Sequence, residues 1–133
     1  MQLELTPFRN ALTSLERGLV RRRANLDDEE FRDACIQRFG YCFELSWKML
    51  KRQIELEIVN TAEVDGYSQR TLFRVAAERG LLASPEKWFV YLVQRNKTSH
   101  AYDARVAAEV AAVIEGFLLD ARAVLAALES RDA

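Results

Sequence analysis

Apolar residues along this chain recur at steps of three and four, the period of a helix that buries one face. Phe8, Leu12, Leu15 and Leu19 set the first stripe, which ends near Ala24. Thr6-Pro7 ahead of it reads as an N-cap followed by proline at the first helical position. Asp27, Asp28, Glu29 and Glu30 place negative charge where a helix dipole favours it, and predict a second helix running to about Ile58. Asp65-Gly66 marks a turn. Ser68 can cap a short third helix that Gly80 ends. Ser84-Pro85-Glu86 opens a fourth. Asp103 can cap the last, whose stripe is Val106, Val110, Val113, Phe117, Ala121, Val124 and Leu128. No period-two alternation, internal repeat or low-complexity linker competes. The expectation is an all-α chain of four long helices and a short one, in a single domain over residues 1–133.

The second predicted helix is apolar over an unusually wide arc. Phe31, Cys35, Phe39, Cys42, Phe43, Leu45, Trp47, Met49, Leu50 and Ile54 cover roughly 200°, where the edge of a bundle needs about 100° or somewhat more. Either this helix is central or it also forms a subunit interface. Because a small bundle has few places to bury so wide an arc, the interface is the favoured expectation.

The chain has 133 residues and a formal net charge of -1. A protein that grips nucleic acid by bulk charge is usually strongly basic, so any RNA contact must be local. Arg9, Arg17, Arg21, Arg22 and Arg23 give the first helix a basic flank, which reads most simply as a solvated face. Cys35 and Cys42 are seven apart, about 10 Å along a helix axis. That is too far for a disulfide, and two buried reduced thiols are expected. No Cys/His cluster has metal-ligand spacing, and no cofactor is implied. No run approaches about 18 apolar residues, and no signal segment opens the chain, so a cytosolic protein away from membranes is expected.

The candidate chemistry lies in Arg95-Asn96-Lys97-Thr98-Ser99-His100-Ala101-Tyr102, which holds the only histidine of the chain. An imidazole can act as acid or base near neutral pH. On the fourth helix, Arg95 projects between Trp88 and Tyr91, and Asn96 between Phe89 and Leu92. Both are expected inside the apolar arc, away from Lys87, Gln94 and Lys97. A buried charge or amide is costly unless paired, so their placement points to function rather than packing. The alternative is a structural arginine that caps carbonyls or pairs with an acid across the bundle. His100 and Tyr102 fall at the helix end, free to face a cleft. No acidic cluster is placed to hold a metal. Metal-free RNA cleavage needs a base, an acid and a cation for the developing phosphorane charge. One chain supplies one imidazole; a two-fold dimer would bring two His100 and two Arg95 to a shared cleft. Ser99 as a nucleophile is a weaker idea, with no orienting acid in view.

The segment Arg95–Tyr102 resembles the Arg-x4-His-x-Tyr motif of HEPN-domain proteins. Residues 36–51, Ile-Gln-Arg-Phe-Gly-Tyr-Cys-Phe-Glu-Leu-Ser-Trp-Lys-Met-Leu-Lys, resemble the second-helix signature of the nucleotidyltransferase substrate-binding proteins. The resemblance covers nearly the whole chain. It implies an antiparallel up-and-down helical bundle that forms a homodimer and pairs with a minimal nucleotidyltransferase. Two functions come with it. In one, the protein is a toxin of a type VII-like toxin–antitoxin pair, a metal-independent endoribonuclease. Arg95 and His100 would then be catalytic, Asn96 supporting, and Tyr102 the residue that the antitoxin nucleotidyltransferase AMPylates. In the other, it is a non-catalytic subunit that binds substrate or nucleotide for a two-component nucleotidyltransferase. The four polar residues together favour the first.

Overall fold

The computed structural model describes residues 3–132 as helices joined by short connections. In order these are α1 (Thr6–Ala24), α2 (Glu29–Glu57), α3 (Thr61–Asp65), α4 (Gln69–Glu78), α5 (Pro85–Lys97), a 3-10 turn (Thr98–His100) and α6 (Ala104–Asp132). The predicted caps explain most boundaries. Asp28 accepts from the Glu30 amide at 2.8 Å, Ser68 from Thr71 at 3.1 Å and Asp103 from Arg105 at 2.8 Å. Gly80 takes the left-handed φ of 79° that closes α4. Two local readings change. Thr6 lies inside α1 and caps nothing; its amide donates to Glu4 Oε1 at 2.9 Å, and Leu5 is the cap residue. Asp65-Gly66 is the end of α3, whose single turn is too short to show a period.

Cross-helix pairs fix the topology. Arg9, Glu16 and Arg23 of α1 pair with Glu129, Arg122 and Glu115 of α6, so these two helices run antiparallel. Tyr91–Asp120 and Lys97–Glu109 do the same for α5 and α6. Ser14 meets Arg38 and Tyr41 of α2 while Gly18 lies against Cys35, so α2 runs antiparallel to α1. The result is an up-and-down helical bundle.

The wide arc of α2 has its explanation inside this bundle. Helix α2 packs against α1, α3, α4, α5 and α6, with Cys35, Phe39, Cys42, Phe43, Leu50 and Ile54 fully buried. The central position accounts for the fully buried part of the arc, while Phe31, Leu45 and Trp47 remain partly exposed. Phe39, Phe43, Phe73, Trp88, Tyr91 and Phe117 form one aromatic cluster among α2, α4, α5 and α6, with Phe39 edge-on to Phe117 at 4.9 Å. Such pairs add about 0.5–1.5 kcal/mol each beyond area burial. The cluster also fixes the rotation of α5, which decides where Arg95 points.

Candidate functional site

Trp88 and Tyr91 are the buried residues of α5. Arg95 follows them by seven and four residues, so it shares their face, directed at α2. Below it α2 carries Gly40, whose backbone the Arg95 side chain lies against. Arg95 Nε donates to the Gly40 carbonyl at 3.3 Å, and Nη1 to Thr98 Oγ1 at 3.3 Å. Thr98 is itself anchored, donating to the Arg95 carbonyl at 2.8 Å. Nη2 lies 3.6 Å from Glu44 Oε1. The other Glu44 oxygen accepts from the Trp47 indole at 3.1 Å. The guanidinium is thus held on three sides, while about a third of the Arg95 side chain remains exposed.

It lines a cleft of about 680 Å³ with Asp33, Gln37, Tyr41, Glu44, Thr98 and Tyr102, over an apolar floor of Ile36, Gly40 and Ala101. The arrangement offers a fixed cation and two phenols to a ligand in a groove that carries two carboxylates. A phosphate ester would suit the cation, and the carboxylates would restrict where it could sit.

The other predicted residues divide. Tyr102 lines the cleft and is 87% exposed. His100 sits in the 3-10 turn, exposed, its ring 6.2 Å from that of Tyr102 and outside the cleft lining. Asn96 is exposed, not inside the apolar arc. The buried face of α5 is centred on Trp88 and Tyr91; Phe89 and Leu92 are partly buried beside it, and Asn96, further along that edge, is exposed. Gln94 and Lys97, expected on the solvated face, are half-buried, and Lys97 Nζ pairs with Glu109 at 3.2 Å. Gly40, Glu44 and Thr98 were not assigned roles from the sequence. Their signal was the interruption of an apolar helix at Gly40 and Glu44, four residues apart and so on one face.

Cys35 and Cys42 are free and buried. Burial pushes the Cys42 thiol up to about 12 and raises Cys35 as well. Among the described residues no three His, Cys, Asp or Glu side chains come together as a metal site. No described helix is long and apolar enough to cross a membrane.

An all-helical bundle that presents Arg95, His100 and Tyr102 around the junction of α5 and α6 has the architecture of a HEPN domain. The family model described as nucleotidyltransferase substrate binding protein like matches residues 3–130, and the chain belongs to that family. It is 38% identical over 97 residues to a Haemophilus influenzae protein named probable ribonuclease HepT; the match spans 73% of this chain and 66% of that protein. A solved Haemophilus influenzae structure, described as revealing the fold of a substrate binding domain of a nucleotidyltransferase, superposes with a TM-score of 0.89. The two are 31% identical, over 95% of this chain and 99% of that one. A crystal structure from Thermus thermophilus superposes with a TM-score of 0.74 at 28% identity, over 91% and 98% of the two chains.

Proposed function

We propose that this protein is a HEPN-type, metal-independent endoribonuclease of a type VII-like toxin–antitoxin pair, acting in the cytoplasm as a homodimer. The observation that carries this reading is the Arg95 guanidinium, held by Gly40, Glu44 and Thr98 yet open to a cleft, with His100 exposed five residues further on. The name of the Haemophilus influenzae relative supports it.

In the reaction, the ribose 2′-oxygen attacks the adjacent phosphorus and the bond to the 5′-oxygen breaks. The products are a 2′,3′-cyclic phosphate and a 5′-hydroxyl. One imidazole takes the 2′-hydroxyl proton; a second gives a proton to the leaving oxygen. Arg95 stabilises the negative charge that builds on the phosphorane oxygens. Each chain has one histidine, so the second imidazole comes from a partner copy. An imidazole outside its own chain's cleft suits a site completed across a dimer. Asn96, exposed near the end of α5, supports the phosphate by hydrogen bonding. Tyr102 is the acceptor for AMP from a cognate minimal nucleotidyltransferase. A phenol exposed to 87% is open to such an enzyme, and the added phosphate brings bulk and negative charge to the cleft mouth.

The test is induced expression of the wild type and of His100→Ala, with growth and RNA integrity followed together. Growth arrest with RNA cleavage that His100→Ala abolishes is expected. Intact RNA from a folded wild-type protein would sink the reading. It would favour the second one, a non-catalytic subunit that binds substrate or nucleotide for a nucleotidyltransferase, which the description of the similar Haemophilus influenzae structure supports.

A further inference from the structure

Four of the five arginines on the basic flank of α1 fall into two kinds. Arg9 and Arg23 are neutralised by Glu129 and Glu115 of α6. Arg17 and Arg21 turn the other way. They line a groove of about 440 Å³ between α1 and α2, together with Gly18, Glu30, Phe31, Ala34 and Arg38. Among the described residues neither has a carboxylate partner. Three guanidiniums therefore face one carboxylate, in a protein whose net charge is -1.

Arg38 is seated with care. Its Nη1 donates to the Ser14 carbonyl at 2.7 Å. A Cβ on residue 18 would come within 3.0 Å of that same nitrogen and 3.3 Å of Cys35 Sγ. Glycine inside a helix costs about 1 kcal/mol relative to alanine. Here it opens the space that the Arg38 guanidinium occupies at the groove wall.

The groove is close to the Arg95 cleft. At about 100° per residue, Asp33, Gly40 and Glu44 lie on one flank of α2 and Phe31, Ala34 and Arg38 on the other. Gln37 and Tyr41 form the ridge between. Tyr41 is an exposed aromatic on this ridge, its hydroxyl 3.0 Å from Ser14 Oγ of α1. A chain leaving the cleft across α2 meets an aromatic ring and then three guanidiniums. Single-stranded RNA is bound by this combination, with phosphates on cations and bases on π-faces.

We propose that the groove formed by Arg17, Arg21 and Arg38 binds the backbone phosphates of single-stranded RNA on the side of α2 opposite Arg95, with Tyr41 under the strand between the two. The proposal rests on the ribonuclease reading for its substrate. It assigns a second contact region that gives a slightly acidic protein its hold on RNA. An acidic protein surface would answer the same charge but has no use for the Tyr41 ring or the Phe31 floor.

The test uses a fluorescent single-stranded oligoribonucleotide and protein carrying His100→Ala, so that binding is read without cleavage. Anisotropy is followed as a function of salt. Loss of two phosphate contacts in Arg17→Gln/Arg21→Gln should weaken binding about tenfold and reduce the slope of log affinity against log salt by about 1.4. Arg17→Lys/Arg21→Lys keeps both charges and should restore the slope. Both arginines are exposed, and a matching thermal melt for each variant establishes that the fold is intact.

Unchanged affinity and slope in the Gln variant overturn the proposal, and wild-type cleavage would then still support the ribonuclease reading. A reduced slope alongside a wild type that never cuts RNA upholds the groove and removes the ribonuclease reading. The same loss measured with free ATP, but with RNA binding unaffected, overturns the RNA strand as occupant.

Discussion

Arg95 of α5 and Glu44 of α2 face each other at 3.6 Å across the floor of the cleft, and each is about one third exposed. A pair so wet contributes at most about 1 kcal/mol to stability. Its consequence is for binding, because the carboxylate sits where a substrate phosphate would approach the guanidinium. Arg95→Lys keeps the charge but loses the donors to Gly40 and Thr98. It should lower the cleavage rate by about 10²-fold with little change in melting. Glu44→Gln removes the competing charge and should lower KM for RNA while leaving kcat within a few-fold. A KM that rises in Glu44→Gln would show that the carboxylate serves the substrate rather than opposing it.

Tyr102 gives a separate handle on regulation. Its side chain is almost fully exposed and makes no described hydrogen bond, so Tyr102→Phe should shift stability by less than about 0.5 kcal/mol. With the cognate nucleotidyltransferase and labelled ATP present, the wild type should gain label and Tyr102→Phe none. Equal labelling of the two would place the acceptor on another residue.

How much of this site could be read from the sequence depended on whether one helix held the information. Arg95 was legible, because Trp88, Tyr91 and Arg95 fall on one face by spacing alone. Asn96 was not. Arg70 and Arg74 of α4 lie over Phe89, yet Asn96, seven residues on, stays exposed, and no local pattern records how far α4 reaches. The wide arc of α2 was visible, but the same apolar residues would serve a core or an interface. The packing of the other helices around α2 places most of them in the core. Glu44 and Gly40 were visible as interruptions, yet nothing near them in the chain says that an arginine from another helix lies against them.

Acid should weaken the bundle through two carboxylates with known partners. Burial pushes Glu57 up, but hydrogen bonds from Arg131, Gln53 and Arg79 outweigh it and hold the carboxyl below its ordinary 4.5. The hydrogen bond from Arg23 lowers Glu115 likewise. The folded state therefore releases these protons at lower pH than the unfolded chain does. The stability they contribute is fully present above about pH 5 and is lost as pH falls through the folded values. Melting temperature should be flat from pH 7 to about pH 5 and fall below 4.5. Glu57→Gln should melt lower at pH 7, by about 1 kcal/mol, with a shallower acid limb. An unchanged acid limb would assign the pH dependence elsewhere.

The two thiols should be silent in the native protein. With Cys42 pushed up to about 12 by burial, and Cys35 raised by burial as well, the thiolate form is disfavoured at both. A thiol reagent at pH 8 should react with neither cysteine until denaturant unfolds the chain, and then with both together. Rapid labelling of one cysteine in buffer would reveal a local opening between α1 and α2.

Gly18 and Gly40 pose the same question with opposite answers. Both interrupt helices, and replacing either with alanine should gain up to about 1 kcal/mol of helix propensity. At residue 40 the new Cβ meets Arg95 Nε at 3.5 Å, an ordinary contact, so the gain is kept. At residue 18 it comes to 3.0 Å from Arg38 Nη1 and 3.3 Å from the buried Cys35 sulfur. Arg38 must then give up its bond to the Ser14 carbonyl, and the α1–α2 packing must open by a few tenths of an ångström. Gly40→Ala should therefore melt higher than the wild type, and Gly18→Ala should not. Gly18→Ala should also displace the Arg38 guanidinium from the groove and weaken RNA binding without removing any charge. A Gly18→Ala protein that melts as high as Gly40→Ala would mean that Arg38 moves freely, and that its seat against α1 is not fixed by packing.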